Sequence, residues 1–488
     1  MVKSGLVEEN RKRVAIVQGA KGEVNLQMET QETKTGVDEI AWLRKAQNEY
    51  RRKTRKSRET FSDAKRIMPG GHSHNARSFE PYPFYAKRAR GKYIWDIDGN
   101  RYTDYWMGHT SLILGHSPRP VVDAIEKQAG NGLLFGSPNK FAYELAQLVN
   151  KTVPCAESIR FCTTGAEATM YAVRLARSFT RKKIIVKMTG GWHGYNSALT
   201  VGVSAPYNVP ESSGLIPEEE KYARLAEFND IEATRAVLAE CADQLAGVIV
   251  EPVMGAGGVL AANKEYLKFL REECTRLGCP LILDEIITGF RLSLGGAQEH
   301  YGITPDLCTL GKILGGGLPV SAVAGRKEIL SLADTTGKSK AERCWIGGGT
   351  FSENALCMNA GIATLKHLIK NKSTLYPQIS SLGDEIRESV DETFGEFGIR
   401  TKTTGLGSLF VTHFLSDGQE DIVGPRDVNA SNRELESRYY FSMISRYGIY
   451  FIPGHIGAIS TEHSQADVTR FLVATTSIAK EIAAGKKK

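Results

Sequence analysis

The sequence predicts an α/β protein in two parts: a large domain with a mainly parallel sheet flanked by helices, and a smaller α+β domain. Three observations carry that expectation. Between about residues 119 and 365, short apolar or β-branched runs alternate with stretches of helical period, the signature of βαβ units. The segments on either side mix strand and helix patterns and read as two halves of one smaller unit. A chain of 488 residues, 41% of them hydrophobic, buries a large core without disulfides or metals.

Residues 1–60 read as an N-terminal extension, partly helical or disordered. Residues 1–36 are polar and without sustained period, whereas 37–67 carry helix formers with apolar spacing at Ile40, Leu43, Ala46 and Tyr50. The first half of the small domain is expected over 61–118. There Lys92–Asp96 and Arg101–Tyr105 flank a turn at Asp98, Gly99 and Asn100, a hairpin signal. The large domain is expected over 119–365. Its strand candidates are Ser158–Cys162, Lys183–Met188, Gly247–Val250, Leu281–Leu283 and Val320–Ala324, and an amphipathic helix, Glu167–Ser178, follows the first of them. Residues 366–488 return to the small domain and end in a helix near Ala466–Ile482.

The net charge of +7 is concentrated in Arg51–Arg58, six of whose eight residues are basic, and in the tail Lys486–Lys488. The basic run falls on a helix and reads as a solvated face; an RNA- or phosphate-binding patch would call for interleaved aromatics. No nucleic-acid or membrane partner is expected, and no apolar run of about 18 residues occurs. The eight cysteines form no C-x-x-C pair and several lie in apolar runs, which points to a reducing, cytoplasmic setting. The first residues hold acids and lack an apolar core, unlike a signal or transit peptide.

Five sites carry chemistry. Thr163, Thr164, Gly165, Ala166 and Glu167 follow a strand and open a helix, where free N–H groups and the helix dipole suit a phosphate. A plain capping turn would read the same way. Trp192, among Gly190, Gly191 and Gly194, follows the next strand. Its indole is placed to stack on a flat ring, or simply to fill the core. Asp284 ends an apolar strand; if the chain stays extended, Ile286 points to the same side. Lys312 lies in a glycine-rich run, 28 residues after Asp284. Gly347–Asn354 is a glycine loop offering the hydroxyl of Thr350. A lysine in a glycine loop paired with a strand-end carboxylate is the layout that holds pyridoxal 5′-phosphate. The lysine forms a Schiff base with the aldehyde and the carboxylate keeps a proton on the ring nitrogen. No zinc, Walker or nucleophile-elbow motif competes.

The order of these sites resembles the class III (subgroup II) pyridoxal-phosphate aminotransferases of fold type I, and among them the glutamate-1-semialdehyde 2,1-aminomutases. The resemblance runs from about Phe61 to Ile482 and is densest over Leu281–Leu330. It implies roles residue by residue: Lys312 as the Schiff-base lysine and proton shuttle, Asp284 as partner of the pyridinium nitrogen, and Trp192 as the stacking aromatic. Gly165 and Ala166 fall on the phosphate turn. Thr350 would reach the phosphate of a neighbouring subunit, which implies a homodimer with shared active sites. Arg77 matches an arginine near the substrate carboxylate. The chain departs from the aminomutase pattern in three places. His109 replaces a tryptophan, the late loop His455–Ile459 lacks the expected acid, and Ala166 replaces a hydroxyl residue. These departures favour an intermolecular aminotransferase, with an amino donor and a keto acceptor; the aminomutase and an amino-acid racemase are the alternatives.

Overall fold

The computed structural model describes residues 15–18, 24–27 and 36–486. Its centre is a seven-stranded sheet in the order Ser158–Cys162, Ser321–Gly325, Leu307–Leu310, Leu281–Glu285, Leu245–Val250, Ile184–Met188, Ala223–Ala226. Six strands run in one direction and Ser321–Gly325 runs against them. The central strands are buried throughout and apolar in sequence, as a sheet covered on both faces requires. Two of the seven, Ala223–Ala226 and Leu307–Leu310, were not expected from the sequence. Each is only four residues long, and Ala-Arg-Leu-Ala at the sheet edge carries no β-branched signal.

The hairpin expected near residue 98 forms, with Tyr93–Asp96 antiparallel to Arg101–Asp104. Ala86–Arg90 joins one side, and Ile449–Tyr450, more than 340 residues further along, adds in parallel to the other. A third sheet of Thr401–Thr404, Leu409–Phe414 and Gly457–Ala458 packs nearby. The helix Ala355–Glu396 has 42 residues and runs through position 365 without interruption, carrying Pro377 within it.

Near the N-terminus, Ala15–Gln18 and Val24–Gln27 pair antiparallel, where only loose polar chain was expected. The rest of 1–35 lies outside the described residues. The expected helix over 37–67 forms as two, Gly36–Lys53 and Arg55–Ala64, divided at Thr54. Thr54 is buried, and its hydroxyl donates to the carbonyl oxygen of Tyr50 at 2.6 Å, a side-chain bond that bends helices. Ala46 and Tyr50 enter a core with Tyr82, Phe84, Tyr102 and Phe441. The basic run is exposed at Arg51, Arg52, Lys53, Arg55, Lys56 and Arg58, as a solvated face should be.

Candidate active site

Four of the residues singled out from the sequence lie at the carboxyl ends of the parallel strands, where open α/β sheets bind ligands. Asp284 lies at the end of Leu281–Glu285, Lys312 two residues beyond Leu307–Leu310, Trp192 four beyond Ile184–Met188, and Thr164 two beyond Ser158–Cys162.

Asp284 is buried, and each of its carboxylate oxygens is engaged. His193 Nδ1–H donates to Oδ2 at 2.7 Å; the hydroxyl of Thr309 and the N–H of Ile286 donate to Oδ1 at 2.9 and 3.2 Å. The last of these bonds shows that the chain does not stay extended past Glu285. It turns, with Gly289 N–H returning to the Glu285 carbonyl at 2.9 Å. Ile286 is therefore placed by a turn and not by strand alternation. It reaches across to the start of the helix Gly165–Thr180: a Cβ on Gly165 would come within 3.1 Å of its Cδ1, and one on Gly311 within 3.0 Å.

Lys312 follows Gly311 directly and has a left-handed backbone, φ 46°. A non-glycine residue held there costs about 1 kcal/mol or more, and such strain collects at functional sites. Burial pushes its ammonium below the ordinary lysine range. Asp284 and Glu251 pull the other way, and Arg291 adds to the depression.

The helix Gly165–Thr180 opens with a capping box. Thr164 Oγ1 accepts from Glu167 N–H at 3.2 Å, while Glu167 Oε2 accepts from the N–H groups of Thr163 and Thr164 at 3.0 and 2.8 Å. Among the described residues, no acceptor takes the amides of Gly165 and Ala166, which leaves two donors at a helix start for an anion. Ala166 is closed in by Gly194, whose added Cβ would fall 2.5 Å from that of Ala166.

Trp192 is 37% exposed, its ring edge-on to Tyr195 at 5.4 Å. Thr350 is exposed, next to Gly349, which lies against Glu167 and Thr163 of the same chain. Arg77 Nε donates to His109 Nε2 at 3.5 Å, a long contact. The His109 ring packs on Trp106 and His74 at centroid distances of 4.4 and 4.6 Å. Its pKa is pushed down to about 3, by burial first and then by the positive groups His74, Arg77 and Lys312, so His109 is neutral at physiological pH.

Sequence reasoning passed over three contributors. His193 is buried beside Trp192, and its Nε2 has no partner among the described residues. Glu251 is buried and accepts from the N–H groups of Trp192 and Gly255 at 2.8 and 3.0 Å, and burial raises its carboxyl above the usual range. It ends the apolar strand Leu245–Val250 just as Asp284 ends its own, and that repeated pattern could have flagged it. Lys187 is buried in mid-strand. Its ammonium donates to the carbonyls of Gly191, Leu199 and Val201 at 2.8, 3.0 and 2.7 Å, tying down the loop that carries Trp192 and His193.

Residues 74–454 match the family profile described as aminotransferase class-III, more than half of the chain. The chain belongs to the class III aminotransferases. Among curated relatives of this class III chain are glutamate-1-semialdehyde 2,1-aminomutases of Methanosphaera stadtmanae and Thermus thermophilus. The first is 37% identical over 86% of this chain and 96% of the relative, the second 39% identical over 85% and 96%. A solved omega-transaminase from Sphaerobacter thermophilus superposes with a TM-score of 0.81 at 31% identity, covering 87% of this chain and 97% of that one. Class III aminotransferases are pyridoxal-phosphate enzymes of fold type I, and the site fits that cofactor. Two free amides at a helix start suit a phosphate, a buried carboxylate lies across the sheet end from them, and a left-handed lysine sits between. Among the described residues, no group of side chains could hold a metal, and no helix is long and apolar enough to cross a membrane.

Proposed function

We propose that this enzyme moves an amino group, using Lys312 as the amine that holds the cofactor and shuttles the proton. The observation that carries the reading is Lys312 itself: a strained, basicity-depressed lysine within electrostatic reach of the buried Asp284. Bound pyridoxal phosphate supplies an aldehyde that takes up an amino group and a ring that withdraws electrons from the bond to be broken. Asp284, oriented by His193 and Thr309, holds a proton on the ring nitrogen. Gly165 and Ala166 receive the phosphate, with Thr350 from a second subunit of a homodimer. Trp192 and Ile286 cover the two ring faces. Arg77 aligns a substrate carboxylate through a forked, charge-assisted contact. Lys312, with part of its basicity removed by burial, takes a proton from the substrate carbon and returns it. The all-buried thiols suit a cytoplasmic enzyme.

Two substrates fit this chemistry. The curated relatives favour rearrangement of glutamate-1-semialdehyde within one molecule. The neutral His109 and the acid-free segment His455–Ile459 favour transfer between two molecules. Supplying the cofactor-loaded protein with glutamate-1-semialdehyde and no other amine decides between them. Steady 5-aminolevulinate formation supports the aminomutase. No rearrangement, together with cofactor bleaching by another amino donor that a keto acid reverses, supports the aminotransferase. A protein that binds no cofactor at all sinks both.

A further inference from the structure

Arg291 is 1% exposed and is the largest fully buried side chain in the molecule's described part. Burying a guanidinium costs several kcal/mol unless acids and hydrogen bonds compensate. Among the described residues no carboxylate pairs with it, and its Nε has no acceptor. Three neutral acceptors hold it instead. Nη1 donates to Ser408 Oγ at 3.1 Å and to the Ile459 carbonyl at 3.2 Å, and Nη2 donates to the Thr110 carbonyl at 2.5 Å. Burial pushes its pKa down to about 10, which still leaves it charged at neutral pH.

The placement of those acceptors is telling. Thr110 ends a run of four left-handed residues: Met107, Gly108, His109 and Thr110 have φ of 46°, 58°, 59° and 66°. Three of them are not glycine, and each such residue costs about 1–2 kcal/mol in that conformation. Asp104 anchors the start of the run, accepting from the N–H groups of Trp106 and Met107 at 2.7 and 2.9 Å. Arg291 anchors its end. The run carries His109, which lies within electrostatic reach of Lys312, and Ile459 ends the segment that carries His455. Arg291 itself follows Asp284 on the turn that leaves its strand. Around Lys312, the charged and titratable groups in electrostatic reach are Asp284, Glu251, Arg291, His74 and His109.

We propose that Arg291 is a positioning residue of this active site, clamping the strained turn that presents His109 to the loop behind Asp284 and adding an unpaired positive charge to the field on Lys312. The proposal rests on Lys312 being the reactive amine. It is tested on the full-length chain without cofactor, so that a failure of the cofactor reading shows separately, as absent visible absorbance when the wild-type protein is loaded.

Two readouts are needed. The first is the rate at which acetic anhydride modifies Lys312 as pH is varied, followed by peptide mass spectrometry. The second is amide exchange over residues 106–112. In Arg291→Met the positive charge is gone, so Lys312 regains basicity and is acetylated several-fold more slowly than in wild type at neutral pH. In Arg291→Lys the charge remains and the acetylation profile stays close to wild type, but the fork is lost and amide exchange over the turn speeds up at least about tenfold, the equivalent of 1.4 kcal/mol of local opening. Arg291→Gln serves as the neutral variant should Arg291→Met not fold. A neutral variant with an unchanged Lys312 profile overturns the proposal, and so does a lysine variant whose turn exchanges as slowly as wild type.

Discussion

At the scale of single residues, the proposed reactive groups were easier to read than their supports. Asp284 and Lys312 stand in motifs because the chemistry admits few substitutes. Replacing Lys312 with alanine is expected to abolish the visible absorbance of the cofactor-loaded protein and to lower turnover by at least about three orders of magnitude. Circular dichroism should stay unchanged, and a variant that keeps both colour and rate would refute the assignment. His193 and Glu251 support the site from inside the fold, and a lone buried histidine or glutamate looks the same in sequence whether it packs or positions. Buried histidines also set the acid limb of stability. His463 packs on Tyr105 at 4.5 Å and accepts from Ser460 N–H at 3.1 Å through Nδ1, a bond that only the neutral ring makes. Burial pushes its pKa down to about 4, from 6.5. Between those values the unfolded chain takes up a proton that the folded chain refuses. Its contribution is therefore intact above pH 6.5 and lost as pH falls toward 4, up to about 3 kcal/mol. Denaturant melts from pH 7 to 4 should show this slope, and it should shrink in His463→Gln.

At the scale of elements, glycines decide how closely the site loops approach. Gly194 has φ 86° and touches Ala166 at the start of the helix Gly165–Thr180. Gly194→Ala adds a methyl group 2.5 Å from the Ala166 Cβ on a backbone that disfavours it. The expected loss is about 1–3 kcal/mol of stability, together with weaker cofactor binding. Thermal denaturation and cofactor titration would measure the two effects, and a variant unchanged in both would show that the turn has room to spare. Strand patterns were legible where apolar runs were continuous, as in Leu281–Glu285, or flanked a turn signal, as in Tyr93–Asp96 and Arg101–Asp104; Ala223–Ala226 offers neither. The break at Thr54 was hidden because threonine in a helix is ordinary; only its burial and its bond to Tyr50 make it a hinge.

At the scale of the whole molecule, the shared-site reading makes a quantitative prediction. If Thr350 serves the partner's cofactor, Lys312→Ala and a disabling Thr350 variant should complement each other. Random reassortment makes half of the dimers mixed, each with one intact site of two, so activity should return to about a quarter of wild type. Unfolding and refolding the two together, against each alone, tests it; a mixture as inactive as its parts would confine each site to one chain. What the sequence determined by itself is the fold class and the cofactor family, with Asp284 and Lys312 as its proposed reactive groups, because hydrophobic period and covalent chemistry both constrain residue type locally. What only the tertiary structure decided is which residues hold those groups in place. Arg291 reaches Thr110, Ser408 and Ile459, and Ile449–Tyr450 pairs with Arg101–Asp104. Such contacts join segments hundreds of residues apart, and their energy depends on distance and burial, which no local pattern of residues records.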